Sequence, residues 1–245
     1  GMTIMSTSPT TPSTIIHDIR EEDPGIPIII GGPHCTLFPR RALTDTDADI
    51  CVQGDGEAVI LDIKQALHDD EKLHKIPGVF FKKKDGIHQG PSFQPIKDLD
   101  TIPFPSRDLI KKYLYGQAYN PSIRNGEFTS ILTSRGCPYQ CKFCSRNAIS
   151  LNLFRTRSTK NILEELFEIR SMGYKYLGIM DDSALHNKKQ AHEIFDTLLQ
   201  ENFDMKIYIT ASRADSADQA LYQKMKKVGV VSIQFGLESA NQDVL

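Results

Sequence analysis

The sequence predicts an α/β protein built from two modules. Three observations carry this. Strand and helix patterns alternate through residues 1–90, stop in a proline-rich stretch over 91–126, and resume over 127–245. Alternating β and α signals indicate parallel strands with helical crossovers.

The elements follow in order. Thr3–Thr7 reads as a short strand and Ser13–Glu22 as a helix with Ile15, Ile16 and Ile19 on one face. Ile26–Ile30 is a buried strand ending at Gly31-Gly32, and Asp49–Val52 is another short one. Glu57–His68 is a helix, because Val59, Ile60, Ile63 and Leu67 recur at helical spacing. Val79–Lys83 and Ile87–Gln89 flank Lys84-Asp85-Gly86. Asp-Gly supplies the positive φ that tight hairpins need. Pro91, Pro95, Pro103 and Pro105 then break regular structure around Asp98-Leu99-Asp100, so 91–126 reads as a linker.

In the second module, strands are expected at Thr129–Ser134, Tyr176–Met180, Lys206–Ala211 and Val230–Phe235. Helices are expected at Thr159–Met172, Lys188–Asn202 and Ala217–Val228. Ile162, Leu166 and Ile169 line one face of the first helix; Ala191, Ile194, Phe195 and Leu198 line the second. Gly173 and Gly229 stand at helix C-caps. Asp182 or Ser183, and Asp215 or Ser216, stand where N-caps of the following helices belong. Met172-Gly173 leads through a strand to Asp182-Ser183, and Val228-Gly229 to Glu238-Ser239, an offset of 56 residues in both cases. Two βα units per repeat fit a (β/α) barrel. The plainer alternative is that helix–glycine–strand turns look alike.

Composition excludes several classes. Apolar residues make up 40% and charged residues 24%, which rules out a disordered chain, a collagen-like chain and a disulfide miniprotein. With 31 acidic and 29 basic residues the net charge is −2, which lacks the basic footprint of a nucleic-acid binder. The most apolar run, Ile26–Ile30, contains a proline, and no stretch approaches the roughly 18 apolar residues of a membrane span. No secretory signal opens the chain, and Gly1 before Met2 reads as a cleavage scar. A cytoplasmic location is expected.

The five cysteines are Cys35, Cys51, Cys137, Cys141 and Cys144. An odd number, clustered and without an export signal, argues for metal or redox use in a reducing compartment. Cys137-Pro138-Tyr139-Gln140-Cys141-Lys142-Phe143-Cys144 puts three soft ligands directly after an expected strand. Such a set suits zinc or an iron–sulfur cluster. Structural zinc wants a fourth ligand, and His186 and His192 stand on the wrong side of a helix. A four-iron cluster on three thiolates leaves one iron open to a substrate or cofactor. Three core cysteines are the plain alternative.

The CxxxCxxC spacing, the aromatic Phe143 before the last cysteine, and the flanks Thr133-Ser134-Arg135-Gly136 and Ser145 resemble the signature of the radical S-adenosylmethionine (SAM) enzymes. The resemblance implies that Cys137, Cys141 and Cys144 ligate a four-iron, four-sulfur (4Fe–4S) cluster whose open iron binds SAM. It implies reductive cleavage of SAM to a 5′-deoxyadenosyl radical, with Phe143 beside the adenine. It also implies an electron donor such as flavodoxin or ferredoxin and a small-molecule substrate. Similar family members carry an acidic pair after the second strand, as in Asp181-Asp182. They carry a polar–Arg end on the third, as in Ser212-Arg213, and Gly-x-Glu-Ser on the fourth, as in Gly236-Leu237-Glu238-Ser239. All would lie at carboxyl ends of barrel strands, where such barrels build sites. Arginine there suits SAM's carboxylate, and acidic groups suit its ammonium or ribose. Arg155 and Arg157 read as surface residues outside the site.

The fold class implied is thus a partial cobalamin-binding-type, Rossmann-like α/β domain (1–90), a linker (91–126), and the amino-terminal half of a TIM-like radical SAM barrel (127–245). The first domain rests on Gly31-Gly32-Pro33-His34 at a strand end and Gly54-Asp55-Gly56-Glu57 opening a helix. Ser6-Thr7-Ser8 would sit near a cobalamin lower base. The branch resembled holds cobalamin-dependent methylases and the anaerobic magnesium-protoporphyrin ester cyclase, so radical methyl transfer or a related C–H transformation is expected. Cobalamin domains usually open with a strand and a DxHxxG loop, absent here; His34 is in another loop, so weak or no cobalamin binding is expected. Two rivals stand beside this reading: a zinc- or cluster-bearing binding module without turnover, and a tRNA methylthiotransferase, which would need three further cysteines. A whole barrel needs about 250 residues, so the 119 residues from Glu127 to Leu245, with four strands, read as truncated, with self-association expected through Val230–Phe235.

Overall fold

The computed structural model describes residues 1–7, 10–216, 218–241 and 243. Ser8, and Ala217 at the start of the third expected helix, lie outside the described residues. The chain divides into two compact units, Gly1–Lys97 with Lys142–Leu151, and Asp98–Cys141 with Asn152–Leu245.

The first unit is built on a five-stranded sheet in chain order. Its strands are β1 (Met2–Thr3), β2 (Ile29–Gly31), β3 (Ile50–Val52), β4 (Val79–Lys83) and β5 (Gly86–Gln89). The first three pair in parallel, and β3–β4 and β4–β5 are antiparallel. The Asp85-Gly86 hairpin forms as its turn chemistry dictates. Helix α1 (Thr10–Glu22) lays Ile16 onto Ile4, Ile30 and Leu43. Three short helices went unforeseen: α2 (Pro33–Leu37), α3 (Pro39–Thr44) and α5 (Asp70–Leu73). Two of them open on proline, which suits a helix's first turn, where its missing N–H is not needed. The helix expected over Glu57–His68 is a 3₁₀ turn, Gly56–Ala58, followed by α4 (Ile60–Ala66).

The second unit is a four-stranded, all-parallel sheet flanked by crossover helices. Its strands are β6 (Phe128–Ile131), β9 (Tyr176–Ile179), β10 (Lys206–Arg213) and β11 (Val230–Gly236), adjacent in that order. A two-stranded ribbon, β7 (Ser134–Arg135) with β8 (Arg155–Thr156), brackets the segment between them in sequence. Within that segment α7 (Arg146–Ser150) belongs to the first unit. Helices α8 (Thr159–Ser171), α9 (Lys188–Gln200) and α10 (Gln219–Val228) turn the expected faces inward: Ile162, Leu166 and Ile169, then Phe195 and Leu198, then Leu221 and Met225, onto Leu177, Ile207 and Ile209. Their N-caps are Ser158, Asn187 and Asp218, each side chain accepting an N–H from the first turn. Asp182, Ser183, Asp215 and Ser216 are therefore not the caps, because the helices begin several residues later. Gly229 ends α10 at φ +118°, a left-handed cap that leaves no room for a Cβ against the Met205 carbonyl.

The proline-rich stretch folds with the second unit. It contains a 3₁₀ turn, Leu99–Thr101, and α6 (Arg107–Ile110). Arg107 is 2% exposed. It donates Nε to Thr129 Oγ1 at 3.0 Å and Nη2 to the Ser130 carbonyl at 2.9 Å, and pairs with Glu165, itself 2% exposed. Arg157, expected at the surface, is buried against the other Glu165 oxygen and donates to the Leu132 carbonyl at 2.9 Å. The Glu165 carboxylate is what allows two guanidinium groups inside. Among the described residues no helix is long and apolar enough to cross a membrane.

Candidate metal and cofactor site

β6 delivers the chain to Thr133, and the next four residues enter the cysteine loop. Two neighbouring carboxylates at the end of β9 hold this entry. Asp181 accepts from the Thr133 N–H at 2.7 Å, the Ser134 hydroxyl at 2.6 Å and the Thr133 hydroxyl. Asp182 accepts from the Gly136 N–H at 3.2 Å. Asp181 is 2% exposed, so both of its oxygens are turned into the protein and committed to the loop. Burial pushes its carboxyl above the ordinary aspartate range, while the Ser134 and Thr133 donors pull it back. A group raised on folding contributes stability that is complete below its unfolded pKa and is lost as pH rises through the folded one. Stability should thus fall as pH rises above the ordinary aspartate range, and Asp181→Asn, which does not titrate, should flatten that fall. Urea midpoints across a pH series check this; an unchanged slope would assign the fall to other groups.

All three thiols of the motif, Cys137, Cys141 and Cys144, are outside any disulfide and half-buried. Among the described residues no three His, Cys, Asp or Glu side chains stand close enough together to hold a metal ion. The donor chemistry nevertheless fits an iron–sulfur group. Three soft sulfur atoms lie within eight residues, and none is committed to a disulfide or the core. Cys35 and Cys51, by contrast, are both buried in the first unit's core. The Cys35 side chain and burial push the Cys51 thiol far up, so it stays protonated.

The end of β10 brings a cation to this loop. Arg213 Nη1 donates to Cys141 Sγ at 3.7 Å, and its guanidinium lies 3.9 Å from the Tyr139 ring centroid. Its Nε and Nη2 donate to Asp215 at 3.0 and 2.8 Å, an ion pair that holds the Asp215 carboxyl below its usual range. The neighbouring Ser212 is buried, and its Oγ has no partner among the described residues. An orphaned hydroxyl at a strand end suits a missing polar ligand.

The remaining expected residues are more dispersed. The Phe143 ring is 70% exposed. Glu238 follows β11, exposed, with a left-handed backbone at φ 59°. Ser239 Oγ accepts from the Asn241 N–H at 3.0 Å. Among the described residues, no hydrogen bond joins Glu238 or Ser239 to the cysteine loop. Sequence reasoning missed Tyr139, which lies inside the motif but carried no signal, because its partners Arg213 and His186 are remote in the chain.

Fold and site define a β/α domain in which two carboxylates hold the entry to the cysteine loop and an arginine meets Cys141, beside the ends of parallel strands. Residues 131–245 match the model of the Radical SAM superfamily. The chain is 30% identical over 220 residues to an uncharacterized methyltransferase of Pyrococcus horikoshii, covering 89% of this chain and 46% of the relative. It is 27% identical over 233 residues to the anaerobic magnesium-protoporphyrin IX monomethyl ester cyclase of Synechocystis sp., covering 93% and 45%. The chain thus spans about half the length of these curated relatives. Its fold is shared with the radical SAM methyltransferase TsrM from Kitasatospora setae, at a TM-score of 0.75, 15% identity, and coverage of 97% of this chain and 46% of that one. It is shared also with the cobalamin-dependent SAM radical enzyme OxsB, at a TM-score of 0.73, 19% identity, and coverage of 99% and 36%.

Proposed function

We propose that this chain carries the cofactor-binding part of a radical SAM enzyme that performs methyl transfer or another C–H transformation on a small molecule. The observation that carries the reading is the three-thiol loop inside the matched region, with no disulfide among its cysteines and the Arg213 guanidinium on the Cys141 sulfur. Cys137, Cys141 and Cys144 would ligate a 4Fe–4S cluster, which supplies an electron for reductive cleavage of SAM. The chain's own residues bind and orient. Ser212, Arg213, Asp182, Glu238 and Ser239 offer polar groups to the methionine and ribose parts, and Phe143 offers an exposed face for the adenine. Asp181 we assign to holding the loop, since its oxygens are committed there. A flavodoxin- or ferredoxin-type protein would deliver the electron, and a reducing cytoplasm would keep the thiols free. The methyl-transfer preference comes from the relatives' activities.

Cobalamin is left out of this reading. TsrM has been solved with cobalamin and a 4Fe–4S cluster bound. Here the described residues of the loop that directly follows β1, 4–7, include no histidine, and His34, after β2, has Nδ1 3.0 Å from Ser6 Oγ. The residues present do not fit a protein imidazole on cobalt.

The test is anaerobic reconstitution with iron and sulfide. The chain should hold about four irons, SAM should change the reduced cluster's EPR spectrum, and Arg213→Ala should weaken SAM binding by on the order of 1.5–3 kcal/mol, the worth of a charge-assisted hydrogen bond. Zinc in place of iron, or a spectrum blind to SAM, would refute the reading.

A further inference from the structure

Tyr139 occupies the middle of the span between the first two cysteines and is tied on both sides. One face carries Arg213, 3.9 Å from the ring centroid. His186, from the segment between β9 and α9, meets the ring edge-on at 5.5 Å, with Tyr139 Oη 3.4 Å from its Nδ1. His186 is in turn held edge-on by Phe154 at 4.8 Å, just before β8. An arginine over an aromatic face is attracted by the ring quadrupole, and edge-to-face ring pairs add to that order. The ring therefore gathers β10, the β9–α9 segment and the ribbon around one point of the loop. Arg213 meets both this ring and the Cys141 sulfur, so the position of one sets the position of the other.

We propose that Tyr139 is a positioning residue for the metal-binding loop: clamped between Arg213 and His186, it holds the Arg213 N–H against the Cys141 sulfur and thereby sets the electron affinity of the iron–sulfur group that sulfur ligates. The inference rests on the iron–sulfur reading above. Hydrogen bonds and charge at the sulfur atoms are among the levers that set cluster potentials. An N–H donor withdraws charge from a thiolate and favours the more negative, reduced state. Releasing Arg213 should therefore make the cluster harder to reduce.

The experiment is an EPR-monitored redox titration of the reconstituted 245-residue chain, with Tyr139→Phe, Tyr139→Leu and His186→Leu. Tyr139→Phe keeps the ring and should titrate with the parent chain. Tyr139→Leu should show a roughly tenfold lower reduced-to-oxidised ratio at a fixed potential, a midpoint lower by about 59 mV for a one-electron couple. His186→Leu should move it in the same direction by less. A loss of packing alone would change iron content or melting without a directed midpoint shift rescued by Phe. The proposal is overturned if Tyr139→Leu loads iron and titrates with the parent. Should Tyr139→Leu hold no iron, His186→Leu decides, and an unmoved midpoint there overturns it. Failure of the parent chain itself to take up iron refutes the underlying reading instead, so the two failures are distinguishable.

Discussion

Replacing Glu165 by Leu should destabilise the second unit by about 3–5 kcal/mol, the range for breaking a buried ion pair from one side. The Glu165 carboxylate is shared between Arg107 and Arg157, whose side chains are 1% and 10% exposed. Without it, two guanidinium groups stay inside with no counter-charge. The other partners of Arg107 are a threonine hydroxyl and a carbonyl, and its Nη1 already has none among the described residues. Neutral acceptors do not offset a charge in a low-dielectric interior. Set against the ~5–15 kcal/mol total of ordinary domains, the loss should leave much of the protein unfolded at modest urea. Replacing all three residues by apolar ones of similar size should recover most of it, because a buried ion cluster contributes little net stability over good packing. Urea midpoints of the parent, Glu165→Leu and the triple replacement check this. A Glu165→Leu midpoint close to the parent's would mean that water reaches the guanidinium groups. The effect extends to the site. Arg107 holds Thr129 and Ser130 on β6, and Arg157 holds Leu132 just past its end, on the way to the cysteine loop.

That triad also shows where sequence reading stops. Helices α8, α9 and α10 were legible because a buried face repeats at helical spacing within one segment. So were the parallel strands between them, and the Gly229 cap, which needs a left-handed residue. The three thiols were legible as a candidate metal set because they crowd into one short loop. Arg107 and Glu165 are 58 residues apart, and Arg107 read as part of a linker. Arg157 read as surface because a lone arginine near charged neighbours gives no sign of burial. The same limit hid Tyr139, whose partner Arg213 arrives from β10. Asp181 and Asp182 were legible as a pair at a strand end, but their division of labour was not. Which carboxylate turns inward is decided by strand alternation and by the Thr133 and Ser134 donors opposite. In the first unit Pro33 and Pro39 open α2 and α3, helices too short to repeat a buried face at helical spacing.

Single substitutions at Cys137, Cys141 and Cys144 should each abolish stable iron binding, whereas Cys35→Ala and Cys51→Ala should keep it. The argument starts from the two environments. The three loop thiols are half-buried, in no disulfide, and outside the hydrophobic clusters. Cys35 and Cys51 lie in the first unit's core among Ile4, Ile30 and Leu43. A thiolate, not a thiol, ligates metal, and the Cys51 thiol is pushed far above neutral pH by its contact with Cys35 and by burial. The core pair therefore supplies no ligand without unfolding its own packing. Among the described residues no three His, Cys, Asp or Glu side chains gather elsewhere into an alternative metal site. Three protein thiolates are already one fewer than the usual four of such clusters, so a further loss leaves two, and the loop, ordered in part by ligation, gives up that ordering as well. Iron per folded chain is the quantity to measure, which separates ligand loss from the modest destabilisation that shaving a core cysteine brings. Iron and sulfide retained in full by Cys141→Ala would remove that sulfur from the ligand set, and with it the reason Arg213 and Tyr139 meet there.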